Sequence, residues 1–345
     1  MFDSLSLAAL LAAFGVAVAV VAVCSVRATR LADVIADRSA LGEAFVGSVV
    51  LGAATSIGGV VVSVTAALDG DASYAFSNGV GGIAAQTLFL AFADLLHRRA
   101  NLEHAAAEPA NLLQATLLLI LLSLPLSAIS GPDFTLLGLH PVSLVMFAAY
   151  LGGVALVRRV RENPMWRPVE TSATRHDEPE DDAERDRPVG PPALRFLALV
   201  TLMGAGGYVI SQAGGQLIAR FALGSSLVGA LITAVATSLP ELITTMTAVR
   251  RGALQLAVGG IIGGNTFDTL FLVFSDAAYR EGSLYHAVGT QDTYWLATGI
   301  LMSGVLLAGL LVRQRQGPGR IGLESVLLVV IYAAAVATQF LSGAG

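Results

Sequence analysis

The sequence predicts an all-α polytopic membrane protein of ten transmembrane helices, arranged as two inverted five-helix repeats. Three observations predict it. Hydrophobic residues make up 55% of the 345 and charged residues only 13%, with a mean hydropathy of +0.72, outside the range of an ordinary soluble domain. Apolar runs long enough to cross a hydrocarbon core of ~30 Å recur at short intervals. One half of the chain also repeats the other at a constant offset, which hydropathy alone does not produce.

The apolar runs fall at residues 4–26, 42–68, 73–96, 109–130, 139–157, 195–214, 223–249, 253–275, 293–312 and 322–342. The first follows Asp3, has no basic leader and is long enough to span at about 1.5 Å per residue, so it reads as a span and not as a cleaved signal peptide. It holds the single cysteine, Cys24, which excludes a disulfide framework or a cysteine metal site and is explained by helix packing. Residues 161–192 are rich in Pro, Asp, Glu and Arg and poor in large apolar side chains. Such a segment cannot bury enough surface to fold alone, so it reads as a flexible cytoplasmic linker, too short and too polar for a regulatory domain. It divides a first half, 1–160, from a second, 193–345.

Orientation follows from the arginines, which are all 20 of the basic residues. With the N-terminus outside, the cytoplasmic side receives Arg27, Arg30, Arg38, Arg98, Arg99, Arg250, Arg251, Arg313, Arg315, Arg320 and every arginine from Arg158 to Arg195. Only Arg220 and Arg280 remain outside. Short cytoplasmic loops retain arginine, so both termini are expected outside a plasma (inner) membrane, with the linker in the cytoplasm.

The second and third spans of each half superpose without a gap at an offset of 182, residues 42–94 on 224–276. Gly42, Val46 and Gly47 fall on Gly224, Val228 and Gly229; Ala54-Thr55-Ser56 fall on Ala236-Thr237-Ser238; Thr87 to Leu90 fall on Thr269 to Leu272; Asp94 falls on Asp276. Five spans per half is an odd number, so the second half starts on the opposite side of the membrane. Inverted repeats with interrupted helices hold substrate near the midplane, at the repeat interface.

The chemistry concentrates in the second copy. ATSLPELITTMTA, from Ala236 to Ala248, carries Glu241 near the middle of its span, where a carboxylate is costly unless it faces a cavity or a partner. Pro240 interrupts the helix there, because it removes a backbone donor and frees carbonyls of the preceding turn. Thr237 and Ser238, four and three residues before Glu241, lie on its face. Carboxylate, hydroxyl and carbonyl oxygens are the hard donors that Na⁺ or Ca²⁺ prefer. A glutamate paired with arginine or capping a helix end is the plainer alternative, but no span carries a mid-membrane basic residue. In the next span, GGIIGGNTFDTLF sets Asn265 and Asp268 three apart on one face. The first copy reads ATSIGGVVVSVTA: it keeps Thr55 and Ser56 but has Gly58-Gly59 in place of Pro-Glu, where the glycines are expected to unwind the helix without supplying charge. Its third span offers Gln86 where the second half has Asp268.

The ATSLPE and GNTFD segments, duplicated in inverted halves of five helices, resemble the alpha repeats of the calcium/cation antiporter superfamily, the sodium/calcium exchangers. The resemblance implies ion-binding roles for Glu241, Asp268 and Asn265, with Thr237 and Ser238 as further oxygen donors and Thr55, Ser56 and Gln86 completing the site from the first half. It implies inorganic cations as partners, Na⁺ and Ca²⁺ or H⁺ as cargo, no cofactor and no enzymatic activity. The first repeat departs from the pattern: Gly58-Gly59 replace Pro-Glu, Ile83 replaces the motif asparagine, Gln86 replaces the Asn/Asp ligand, and Gly82 and Gly264 stand where a serine is usual. Calcium affinity rises with ligand charge, so losing one acid is expected to weaken divalent binding or shift preference to a monovalent ion or proton.

The leading expectation is therefore an antiporter exchanging Ca²⁺ or another cation for Na⁺ or H⁺, with access switched by sliding the first and sixth helices. A monovalent cation/proton exchanger and a non-transporting ion-binding scaffold or sensor stand as alternatives. An intramembrane aspartyl protease would need two facing aspartates, and Asp268 has only Gln86 as its repeat partner. Asp94 and Asp276 read as helix-end residues, and Asp69, Asp71, Asp133 and Asp292 as external loop acids, mostly solvated. His97, His104, His140, His176 and His286 show no metal-ligand spacing, and no aromatic-basic pattern suggests nucleic acid binding.

Overall fold

A computed structural model describes residues 2–38, 51–96, 101–106, 108–169, 190–252, 254–314 and 321–342. The first half contains α1 (Leu7–Arg38), α2 (Leu51–Leu68), α3 (Ala72–Leu96), α4 (Pro109–Ser130) and α5 (Pro141–Glu162). The second contains α6 (Gly190–Phe221), α7 in two limbs (Ser225–Thr237 and Leu239–Arg251), α8 (Leu254–Ala278), α9 (Thr290–Val312) and α10 (Leu323–Ser342). Eight of these helices are long and apolar enough to cross a membrane, and the bent pair in α7 makes a ninth. The tenth, α2, contributes the shorter apolar stretch Thr55–Leu68. Gly42, Val46 and Gly47 of the repeat, His97, His176, Arg98, Arg99, Arg315, Arg320 and the linker residues 170–189 lie outside the described residues.

Where helix ends differ from the apolar runs, polar but helix-compatible residues explain it. The first apolar run stops at Val26, yet α1 continues to Arg38 because SVRATRLADVIADR contains neither Gly nor Pro. Likewise α5 extends to Glu162 through VRRVRE, and α6 starts at Gly190, within the last residues of the predicted linker. The run 109–130 coincides with α4, which Pro109 opens at a position needing no backbone donor.

Contacts at the helix ends carry the repeat through both halves. Asp94 accepts from the Leu102 amide (2.8 Å), the Gly322 amide (2.9 Å) and the Ser325 hydroxyl (3.1 Å). Asp276 accepts from the Leu284 amide (3.1 Å), the His140 amide (2.8 Å) and the Ser143 hydroxyl (2.7 Å). Each residue of the second set stands 182 positions from its counterpart in the first. His104 and His286, also 182 apart, bond the Arg313 and Gly131 carbonyls at the ends of α9 and α4. Every one of these links except those to Leu102 and Leu284 joins one half to the other, so each half clasps its partner reciprocally, at opposite membrane faces. Asp94 and Asp276 are both fully buried.

A carboxylate that accepts three donors becomes, as an amide, a group with only one accepting oxygen. Asp94→Asn and Asp276→Asn are each expected to cost about 1–3 kcal/mol. The two clasps share no partner, so their effects should add in the double variant; thermal unfolding of the singles and the double in detergent checks both points.

One of the expected loop acids is not solvated. Asp292 is 1% exposed, because it lies in the first turn of α9 and accepts from Ser73 (2.8 Å), Ser77 (2.5 Å) and the Gly289 amide (2.8 Å). Asp71 likewise accepts from the Tyr74 amide and the Ser225 hydroxyl, tying the start of α3 to the start of α7.

The outer pair α1 and α6 pack on each other and on α2. Small residues make that contact close. A methyl at Gly206 would stand 2.7 Å from Val21, and one at Gly207 would stand 2.5 Å from the Gly58 carbonyl. Central positions fall to α3 and α8, whose windows are mostly buried.

Candidate cation-binding site

The site is built where α7 breaks. Its first limb contains a π-helical turn, Val228–Thr233, followed by Ala234–Thr237. Ser238 forms a turn between the limbs, and the second limb, with Pro240 in its first turn, departs at 44°. Proline supplies no amide to the preceding turn, so the interruption falls where the sequence places Pro240. Glu241 thereby occupies the first turn of a helix, where amide dipoles favour negative charge.

Opposite this break lie α2, α3 and α8. Ser56 donates to one oxygen of Asp268 at 2.6 Å, and the Gln86 amide nitrogen donates to the other at 2.6 Å. The same Gln86 nitrogen reaches the Ser238 hydroxyl at 3.2 Å. Ser56 and Ser238 are repeat equivalents, as are Gln86 and Asp268, 182 apart. The Gln86–Asp268 bond therefore joins a residue to its own counterpart, across the pseudo-twofold axis between the halves. Thr237 donates to the Thr233 and Ala234 carbonyls at 2.9 and 3.2 Å.

Glu241 is 6% exposed, and neither carboxylate oxygen completes a hydrogen bond among the described residues. It lies within electrostatic reach of Asp268, with the Thr55 hydroxyl close by. Two further buried oxygens are equally unsatisfied: Gln86 Oε1 and Asn265 Oδ1. Both orientations fit their partners. A carboxylate only accepts, so Gln86 must turn its nitrogen toward Asp268. Thr87 spends its proton on the Ile83 carbonyl (2.7 Å) and can only accept from Asn265 Nδ2 (2.9 Å). The amide oxygens are left without donors as a consequence. Gly264 and Gly82 border the same cluster: methyl groups there would stand 3.3 Å from Gln86 Oε1 and 3.5 Å from the Ser238 hydroxyl.

Thr55, Ser56, Gln86, Thr237, Ser238, Glu241, Asn265 and Asp268 are all buried, and those whose contacts are given above fall within this one region of α2, α3, α7 and α8. Gly58 and Gly59 behave otherwise than expected. They do not break their helix: α2 runs through them without interruption from Leu51 to Leu68. Glycine only permits a break, whereas Pro240 also removes a backbone donor at the point where α7 is interrupted. The Gly59 carbonyl is instead capped by Asn78 Nδ2 at 3.2 Å, while Asn78 also bonds Ser63 (2.9 Å) and Thr233 (2.9 Å).

Asn78 and Tyr150 are neighbours that reading the repeats overlooked, and Thr87, matched to Thr269 there, was given no role at the site. Asn78 falls on Gly260 at the repeat offset, so the internal comparison passes over it; a buried amide in an apolar span was its only signal. Tyr150, on α5, is 3% exposed and within electrostatic reach of Asp268. It packs edge-on against Phe267, which packs edge-on against Phe271. No group of three His, Cys, Asp or Glu side chains gathers among the described residues, so any cation here would meet two carboxylates and otherwise neutral oxygens.

Ten helices in inverted halves, with one broken helix presenting a buried acid at the repeat interface, define the architecture of an inverted-repeat membrane transporter. The chain belongs to the sodium/calcium exchanger protein family, Na_Ca_ex, which it matches over residues 9–158 and 192–341. It is 32% identical to Inner membrane protein YrbG of Escherichia coli (strain K12) over 100 residues, which is 29% of this chain and 30% of that protein. The chain thus aligns with under a third of that curated relative's length. Among solved structures, the H⁺/Ca²⁺ exchanger CAX superposes with a TM-score of 0.67 at 14% identity, over 97% of this chain and 86% of the other. The sodium-calcium exchanger NCX_Mj, soaked with Na⁺ and Sr²⁺, superposes with a TM-score of 0.60 at 14% identity, over 95% of this chain and 97% of the other. These likenesses extend the fold across nearly the whole chain.

Proposed function

We propose that this protein is a secondary cation antiporter, moving Ca²⁺ or another cation across the membrane in exchange for Na⁺ or H⁺ by alternating access. The single observation that carries the reading is the set of four buried, unsatisfied oxygens: both of Glu241, Oε1 of Gln86 and Oδ1 of Asn265. All four are acceptors. Buried acceptors without donors are costly, and a dehydrated cation is the partner that satisfies several at once. Glu241 and Asp268 supply the charge, and Thr237, Ser238, Asn265, Thr55, Ser56 and Gln86 supply neutral oxygens. CAX and NCX_Mj, whose folds it shares, are described as H⁺/Ca²⁺ and sodium-calcium exchangers.

Access would switch by sliding α1 and α6 across the other helices, over the close contacts of Gly207 and Val21 with Gly58 of α2. The arginine distribution supports termini outside and the linker in the cytoplasm, and the relative named as an inner membrane protein supports that membrane as the location. One observation favours a monovalent cation/proton exchanger as the second reading: Glu241 is the site's only unpartnered carboxylate among the described residues, since Asp268 is engaged by Ser56 and Gln86.

Cation binding should stabilise the folded protein by linkage, by about 2.7 kcal/mol at a hundredfold excess over Kd. Thermal unfolding of the purified protein in Ca²⁺, Na⁺ or a bulky organic cation tests this. The expected result is a rise in Tm with Ca²⁺ or Na⁺ and none with the organic cation at equal ionic strength. Indifference to every inorganic cation would contradict the reading.

A further inference from the structure

The geometry points to Phe271 as a selectivity-determining residue: its ring fills the place from which a first-half carboxylate would reach the cation, so the site holds its cargo with a single unpartnered acid. This rests on the proposed reading of the site as a cation site. Residue 59 is the repeat equivalent of Glu241. A Cβ built on Gly59 would stand 2.5 Å from Phe271 Cε2 and 2.9 Å from Cζ, with the Thr237 hydroxyl at 3.6 Å. Any side chain at position 59 would therefore start between that ring and a hydroxyl of the site. No heavy-atom contact of 2.5 Å is tolerated by a packed ring, so glycine at 59 and the ring at 271 are one coupled feature.

The ring is also not free to withdraw. Phe271 is 3% exposed, it packs edge-on against Phe267, and Phe267 packs edge-on against Tyr150. On its other side, a methyl at Gly79 would lie 3.4 Å from Phe271 Cβ. This column runs from α5 to α2 and ends at Gly59.

The second half shows what a carboxylate requires. There the equivalent pair is Glu241 and Phe89, and both side chains are accommodated, Phe89 at 5% and Glu241 at 6% exposure. The difference lies in the helix. Breaking α7 at Ser238 carries Glu241 on a limb bent by 44°, whereas α2 runs on uninterrupted, with its Gly59 carbonyl held by Asn78. The first half thus withholds both a charge and a freed carbonyl, and the ring occupies the space. Ca²⁺ affinity follows ligand charge, so Phe271 with Gly59 lowers the preference for a divalent ion relative to Na⁺.

The test measures Ca²⁺ binding, and its competition by Na⁺, on the purified full-length protein carrying Gly59→Glu, Phe271→Ala, both, or Glu241→Gln. The pair Gly59→Glu/Phe271→Ala is expected to bind Ca²⁺ about tenfold or more tighter than Phe271→Ala alone, with Na⁺ competing less well. Gly59→Glu alone is expected to misfold or to show no gain. A folded pair that binds Ca²⁺ no tighter than Phe271→Ala overturns the role of Phe271, as does Gly59→Glu alone tightening binding as much as the pair. Should the pair fail to fold, Gly59→Ala and Gly59→Ala/Phe271→Leu decide: the inference requires a Tm loss in the first and recovery in the second, and no loss in the first overturns it. Cation binding untouched by Glu241→Gln would instead sink the reading of the site itself, whatever position 271 does.

Discussion

Glu241→Gln is expected to abolish cation exchange and, in the same protein, to raise the thermal stability of the ion-free state. The substitution keeps the shape of the side chain and removes its charge. The Glu241 carboxylate is buried with neither oxygen hydrogen-bonded among the described residues, and buried acceptors without donors are destabilising, whereas glutamine turns one of them into a donor. Neutralising it should therefore relieve roughly 1–3 kcal/mol. The same change removes the attraction that holds a cation. A unit charge at ~4 Å in a medium of effective dielectric near 20 is worth about 4 kcal/mol, or on the order of a thousandfold in affinity. The measurement is paired: Tm without ions rises, and the shift in Tm on adding Ca²⁺ or Na⁺ disappears. A glutamate serving only to fix helix geometry would lose stability on this substitution and keep its ion response.

Asp268→Asn is expected to abolish exchange as well, with the opposite sign in stability. Asp268 accepts from Ser56 and Gln86, both at 2.6 Å, and charge-assisted bonds of this kind are worth about 1.5–3 kcal/mol each. Asparagine has one accepting oxygen, so its nitrogen must face Ser56 or Gln86. If Gln86 turns over to meet it, the Gln86 nitrogen swings toward the place where its Oε1 now stands unsatisfied, putting a donor among the acceptors. Both arrangements lose the charge-assisted bonds, the first also sets a donor against a donor, and the second repels a cation. Thermal unfolding and flux on Asp268→Asn check both effects. Two acids in one site should thus respond oppositely to neutralisation, because one is satisfied by the protein and the other is left for a ligand.

The parts of this site legible in the sequence were those that physics makes conspicuous. An intramembrane acid after a proline, among spans without a mid-membrane basic residue, pointed to Glu241 and to the break in α7. The repeat offset placed Gln86 against Asp268, and the structure makes that pair a hydrogen bond. What stayed hidden depended on packing across the repeat. Gly58-Gly59 looked like a loosened helix, yet Asn78 holds the Gly59 carbonyl and α2 is uninterrupted. Phe271 falls on Phe89 in the repeat, so nothing in the sequence set it apart; only the missing side chain at Gly59 distinguishes its surroundings. Asp292 read as a solvated loop acid because nothing local marks Ser73 and Ser77 as its partners, more than 200 residues away in sequence. His104 and His286 were equally inconspicuous, although they stand at the same offset as the rest of the repeat.

We propose that Glu241 binds the transported cargo. Calcium uptake into proteoliposomes, driven by an imposed sodium or proton gradient, tests it most directly when the native protein and Glu241→Gln are compared at equal reconstitution. Gradient-driven uptake in the native protein that vanishes in Glu241→Gln is the predicted result. Uptake that persists undiminished in Glu241→Gln would contradict it.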